Sequence, residues 1–225
     1  MTRQDYLEAM QKRHAVRKYT ARPIDAHTLE VLEENIRLCN DESGLHIQLV
    51  TEEPKAFGGA LASYGKFSGV RNYIVLAGNG KSRHLPEECG YYGERLVLLA
   101  QHLGLNTCWV GLTYKKIPDA YALEDGEKIV CVIAIGYGEN EGKSHVIRSY
   151  MDLTVNSIDA PDWFKSGMAA VMLAPSSMNR QKYVFEHRDS SVMTRRGIGL
   201  YSGVDLGIAK LHFEIGAGDV NFEWA

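Results

Sequence analysis

Five short stretches carry residue types that could do chemistry. Arg13-His14-x-x-Arg17 sets two arginines four apart beside an imidazole. At a helix end the two would share one face, and guanidinium forks match phosphate oxygens two at a time. With Lys12 and Lys18 the same cluster also reads as a solvated basic helix end, favoured by the helix dipole. Pro175-Ser176-Ser177-Met178-Asn179-Arg180-Gln181 gathers two hydroxyls and two amides where a proline stops a helix. Such a turn suits a phosphate or the edge of a flat polar heterocycle, or simply caps the step into a strand. Thr107 to Leu112 follows a helix ending at Gly104, and Gly111 lets backbone come close to a ligand; the plain alternative is a buried strand and turn. Tyr64-Gly65-Lys66-Phe67 and Gly142-Lys143-Ser144-His145 lie in loops, where Lys143 either adds a cation to a phosphate site or faces solvent.

These stretches need elements to place them. Tyr6, Leu7, Ala9 and Met10 share a helical face, which predicts a helix over about 3–18 ending in the basic cluster. Asp25 is a suitable N-cap for a second amphipathic helix reaching about Cys39. Leu45–Val50 and Tyr73–Ala77 read as strands, separated by a glycine-rich loop from Phe57 to Gly69. Further helices are expected over about Pro86–Leu103, Ala160–Leu173 and Leu200–Glu214, and Ile129–Ile135 reads as a central buried strand. Helices mixed with few strands argue for an α+β or α/β chain.

The chain also repeats itself. Ile24-Asp25-Ala26 lies over Ile158-Asp159-Ala160, and at that spacing Ser43 falls on Ser177 and Val50 on Val184. A second match sets Gly90-Tyr91-Tyr92 over Gly199-Leu200-Tyr201 at a shorter spacing. The reading is one domain over 1–225 made of two pseudo-repeats, about 1–150 and 151–225, the second lacking the glycine-rich loop and one strand. A tandem copy can imitate a symmetric dimer with its site at the junction.

Composition excludes several classes. The 225 residues are 45% hydrophobic and 24% charged, with net charge −3. No basic field recruits nucleic acid or anionic lipid, so an anionic ligand must be held by local cations. No apolar run approaches the roughly 20 residues of a membrane span, and the polar start shows no secretory signal. Cys39, Cys89, Cys108 and Cys131 form no C-x-x-C pair and read as reduced, buried thiols of a cytoplasmic protein. The eight histidines show no metal-ligand spacing. Neither Gly80-Lys81-Ser82 nor Gly142-Lys143-Ser144 has the upstream glycine of a P-loop, no G-x-G-x-x-G opens a helix, and Gly199 to Gly203 is not a nucleophile elbow.

Taken together, K-R-H-A-V-R-K-Y, then T-C-W-V-G, then the apolar strand leading to I-G-Y-G-E and Lys143, resembles the nitroreductase-like flavoproteins. A-P-S-S-M-N-R-Q-K-Y is similar to that family's P-S-x-x-N-x-Q-P-W signature, with Lys182-Tyr183 in place of Pro-Trp. The resemblance covers nearly the whole chain. It implies an α+β, FMN-binding fold with helices around a mainly antiparallel sheet. The family is ordinarily a homodimer with flavin at its interface. Here the signature stands at the repeat-equivalent position, as in a single-chain pseudo-dimer with one intact site. A monomer then suffices; a homodimer is the alternative.

The resemblance implies roles. Arg13, Arg17 and Lys143 would meet the FMN phosphate, and His14 and Asn179 polar edges of the cofactor. Pro175, Ser176, Ser177 and Gln181 would form the facing turn. Val110 and Gly111 would lie by the ring's reactive edge, with Tyr64, Lys66 and Phe67 bordering it. The flavin carries the chemistry, so no catalytic residue or metal is expected. NADH or NADPH would reduce it and a nitroaromatic, quinone or similar acceptor would reoxidise it, in ping-pong order. The rival reading is a flavin carrier, sensor or accessory protein without nicotinamide turnover.

Overall fold

A computed structural model describes residues 1–225. Helix α1 (Arg3–Lys12) opens on a capping box between Thr2 and Asp5, and α2 (Ala26–Ser43) on Asp25, whose side chain accepts from the Thr28 N–H at 3.0 Å. Strand β1 (Gln48–Val50) follows, then a short helix α3 (Ala60–Tyr64) and strand β2 (Asn72–Asn79). Helix α4 (Leu85–His102) starts with Pro86, Glu87 and Glu88 in its first turn and stops before Gly104, whose φ is +79°. Strands β3 (Asn106–Val110) and β4 (Glu127–Gly136) complete a sheet ordered β1-β2-β4-β3. All three of its pairings are antiparallel.

Both faces of that sheet are covered. Ile74 and Leu76 pack with Leu32, Leu96 and Ile133 on one side; Tyr73 and Val75 pack with Phe57, Phe67 and Val132 on the other. A strand buried on both faces shows no apolar–polar alternation, which is why the β4 run is continuously apolar.

The second layer begins with α5 (Tyr150–Leu153) and β5 (Thr154–Val155). Helix α6 (Asp162–Val171), strands β6 (Tyr183–Arg188) and β7 (Ser191–Arg196), helix α7 (Ser202–Ala217) and strand β8 (Glu223–Trp224) follow. Their sheet runs β5-β6-β7-β8, antiparallel only between β6 and β7. An aromatic cluster of Phe164, Phe185 and Phe213, with Trp163, Phe222 and Trp224, fills this layer.

The layers meet at α4 and α7, whose backbones touch. A Cβ on Gly90 would stand 2.1 Å from the Val204 carbonyl oxygen, and one on Gly207 1.9 Å from that of Glu87. The contact is reciprocal: Gly90 meets Val204 as Gly207 meets Glu87. Ends of β2 and β7 (79 and 196), starts of α4 and α7 (85 and 202) and starts of β3 and β8 (106 and 223) share that same spacing. In this contact Gly90 is matched by Gly207, a different pairing from the Gly90–Gly199 match of the sequence. A long connection over 51–71 joins β1 to β2, whereas a tight turn joins β6 to β7.

Candidate functional site

The expected first helix is too long. It ends at Lys12, and Arg13 already has extended backbone (φ −70°, ψ 129°). The arm from Arg13 to Thr20 is held by non-local partners: Val16 N–H donates to Thr107, Tyr19 N–H to Ser68 and Thr20 N–H to Tyr137. Buried Tyr19 donates its hydroxyl to the Val16 carbonyl at 2.8 Å. Arg13 and Arg17 thus do not share a helix face. They and Ala15 are alternate residues of an extended run, and all three line one cavity of about 660 Å³. His14 points elsewhere, against Gly142, and burial beside Arg13 depresses its basicity.

Arg13 is 6% exposed, and its Nε and Nη1 find no hydrogen-bond partner in the protein. A buried unpaired guanidinium is costly, and the cost is removed by an anion. His145 stands near enough that the charges of Arg13 and His14 add to burial in lowering its basicity; its Nε2 lies 3.2 Å from the Met172 carbonyl oxygen.

The turn after α6 forms the facing wall. Pro175, Ser176 and Ser177 line the cavity. Met178, Asn179 and Gln181 hold φ of +54°, +54° and +45°, a left-handed conformation that non-glycine residues keep only when their surroundings impose it. Gln181 imposes it. Fully buried, it accepts from the Arg148 N–H (3.0 Å) and donates to the Val146 carbonyl (2.8 Å) and to Asn179 Oδ1 (3.0 Å). Asn179 donates to the same Val146 carbonyl at 2.9 Å. Both amides, expected near a cofactor, hold the 146–148 segment instead and do not line the cavity.

The rest of the wall comes from the sheet and α7. Val110 and Gly111 end β3 at the cavity, where a Cβ on Gly111 would stand 2.2 Å from the Tyr201 ring. The glycine-rich stretch contains α3, whose last residue Tyr64 stands at the rim (86% exposed), and beyond it Phe67 is buried. Lys66 and Lys143 are exposed and lie outside the lining.

Several lining residues were not assigned from sequence. Arg180 and Lys182 lie inside the quoted signature but carried no role there. Asp205, on the first turn of α7, is 5% exposed; burial pushes its carboxyl up to about 6, against the opposing hydrogen bond from the Ser177 N–H (2.7 Å). Nothing in the local sequence marks it, because its neighbours are ordinary buried helix residues. Trp109 donates its indole N–H to Glu94 at 2.9 Å, and the other Glu94 oxygen lies 3.0 Å from His212 Nε2. Glu94 and His212 are fully buried between α4 and α7.

All four cysteines are buried and free, and burial raises each thiol, Cys89 to about 12. No cluster of three His, Cys, Asp or Glu is placed to hold a metal, and no helix is long and apolar enough to cross a membrane.

The sandwich of two sheets around paired helices, with a cation-lined cavity at their junction, defines an α+β nitroreductase-like fold. A family model described as "Putative TM nitroreductase" matches residues 5–217, and the chain belongs to this nitroreductase family of oxidoreductases. Among solved structures, a protein of Thermotoga maritima described as a "putative nitroreductase" has a TM-score of 0.67 at 20% identity, covering 96% of this chain and 85% of its own. A Bacteroides thetaiotaomicron protein described as "Putative NADH dehydrogenase/NAD(P)H nitroreductase" scores 0.53 at 18% identity, covering 67% of this chain and 96% of its own. A Desulfovibrio desulfuricans protein described as a "putative nitroreductase in complex with fmn" scores 0.51 at 20% identity, covering 65% of this chain and 93% of its own. No functionally curated protein matches the chain.

Proposed function

We propose that the chain is an FMN-dependent oxidoreductase that takes electrons from NAD(P)H and passes them to a small nitroaromatic, quinone or similar acceptor. The observation that carries this reading is Arg13: buried, unpartnered through two nitrogens, and facing a cavity. A phosphate monoester fits it, and about 660 Å³ lies within the range of small-molecule and cofactor sites. The FMN complex of the Desulfovibrio relative points the same way. When bound, FMN supplies a two-electron carrier able to take and give hydride.

The chain's own residues do the remaining work. Arg13, supported by Arg17, would hold the phosphate. The Ser176–Ser177 turn, locked by Gln181, offers fixed donors and acceptors across from it. Gly111 brings backbone to the cavity without a side chain in the way. Exposed Tyr64, Leu112, Met178 and Ile198 make an apolar rim that accepts a flat substrate. One cavity must serve donor and acceptor in turn, so the kinetics should be ping-pong.

The reading includes an internal duplication. Its support is the common spacing of β2-α4-β3 and β7-α7-β8, together with the reciprocal glycine contacts. Relatives that match over nearly their full length cover only about two thirds of this chain, whereas the Thermotoga protein covers 96%. Because both halves of one chain build the cavity, a monomer completes it.

The test is the visible spectrum of purified protein, followed by anaerobic NADH and then NADPH. Bound flavin that bleaches supports the oxidoreductase. Bound flavin that stays oxidised with both nucleotides overturns it in favour of a carrier or sensor.

A further inference from the structure

Three carboxyl groups are buried in this protein, those of Glu94, Glu186 and Asp205, and they differ in what meets their oxygens. Glu94 accepts from the Trp109 indole N–H at 2.9 Å, and its other oxygen lies 3.0 Å from His212 Nε2. Glu186 accepts from the guanidinium groups of Arg188 and Arg195, at 3.2 and 3.4 Å. Asp205 has one bond only, its Oδ1 accepting from the Ser177 N–H at 2.7 Å. Its Oδ2 has no partner in the protein, yet it is not sealed off: it opens onto the cavity that Asp205 lines. Nothing around it supplies a compensating charge. Tyr183 on β6 and Cys131 on β4 are its titratable neighbours, both kept neutral by burial. Arg13 and Arg17 of the arm, and Arg180 and Lys182 of the turn, line the same cavity, but none pairs with this carboxyl. Glu94 on α4 is already committed to Trp109 and His212.

A buried carboxylate with no cation beside it is neutralised by a proton. The Ser177 bond decides which oxygen carries that proton. Oδ1 must remain an acceptor, so the hydrogen belongs on Oδ2, where it is a donor toward the cavity. While the cavity is open, solvent can serve the charged form at Oδ2. A ligand that displaces the solvent withdraws that support and favours the acid. A flavin ring carries carbonyl oxygens and ring nitrogens that accept hydrogen bonds. Resting on the FMN reading above, we propose that Asp205 meets the cofactor as a neutral acid, its Oδ2–H donating to an acceptor atom of FMN, so that filling the cavity takes up one proton at this residue. Burial already raises the carboxyl to about 6 before a ligand arrives, so at pH 7 the proton must come from solution. Asn at this position offers the same acceptor to Ser177 and the same donor to the cavity at every pH.

The experiment titrates apoprotein with FMN by calorimetry at pH 7, in two buffers of different ionisation enthalpy, for wild type and Asp205→Asn. The buffer dependence counts the protons exchanged on binding. The phosphate monoester itself titrates near 6, and so do histidines, but these contributions are common to both proteins and cancel in the difference. Wild type should take up about 0.9 proton more than the variant, the share of a group with a value near 6 that is ionised at pH 7. The FMN Kd of wild type, relative to that of the variant, should rise about tenfold between pH 7 and pH 8. Riboflavin, which has no phosphate, should show the same proton uptake in wild type alone. Equal proton counts with parallel Kd curves would overturn the proposal while leaving the flavin reading intact, since Asp205 would then stay charged beside the cofactor or not meet it. Failure of both proteins to take up FMN would remove the flavin reading and this proposal with it.

Discussion

Two polar segments face each other across the cavity, and they differ in what their polar atoms are doing. In the turn, Gln181 is fully buried with its side-chain amide bonded on both ends, and Asn179 is tied to the Val146 carbonyl. In the arm, Arg13 is also buried, but two of its nitrogens have no partner within the protein. Both segments gave the same kind of signal in sequence, clustered polar residues beside a helix end. The structure separates them: satisfied groups stabilise the fold, and unsatisfied buried groups mark where a ligand must bring the missing partner.

The contrast makes opposite predictions for the two segments. Arg13→Ala should weaken FMN binding by an amount typical of a buried charge pair, about 2–5 kcal/mol, as read by equilibrium titration of apoprotein. The same change should raise the melting temperature of the flavin-free protein, since it deletes an uncompensated buried charge. A lower apoprotein melting temperature would break the comparison. Gln181→Ala should do the reverse to stability. It leaves the Arg148 N–H unpaired and takes one of two donors from the Val146 carbonyl, and should cost on the order of 2 kcal/mol in denaturant unfolding.

Asp205 sharpens the comparison from between these extremes. Its carboxyl, with one oxygen satisfied, is raised to about 6 in the folded protein from an unfolded value near 3.8. Between those values the folded state holds more protons than the unfolded one, so stability falls as pH rises through about 4 to 6. Asp205→Asn keeps the acceptor for Ser177 and removes the buried charge. It should stabilise the protein by on the order of 2 kcal/mol at pH 8 and by little at pH 4, measured by unfolding at both. A pH-independent difference would place the carboxyl in a wetter setting. The smallest effect belongs to Asn179→Ala. That side chain is exposed, and its loss should cost about 1 kcal/mol with FMN affinity within about twofold of wild type.

Much of the architecture was legible because local signals agreed with the fold. The Asp25 cap, the Pro86 start and Gly104 stop of the long helix, and the apolar β4 run all appear where their residue types place them. The arm was misread because the helical face of Tyr6, Leu7, Ala9 and Met10 was extended through the basic run, while the partners that hold the arm extended lie in Thr107, Ser68 and Tyr137, far along the chain. The β6–β7 hairpin was missed for a related reason. Its strands carry Arg188, Arg195 and Arg196, and its turn rests on Asp189 at φ +52° with no glycine to announce it. At the site, the arginines, the serines and Gly111 could be named from motifs. Asp205, Tyr201 and the roles of Asn179 and Gln181 could not, since each depends on what another segment brings within reach.

The central claim is that the buried guanidinium of Arg13 exists to meet a phosphate. Its most direct test is to titrate apoprotein with FMN and, separately, with riboflavin, which shares the ring and lacks the phosphate. The account requires FMN to bind about 30-fold tighter or more, the equivalent of at least 2 kcal/mol. Equal affinities for the two flavins would contradict it.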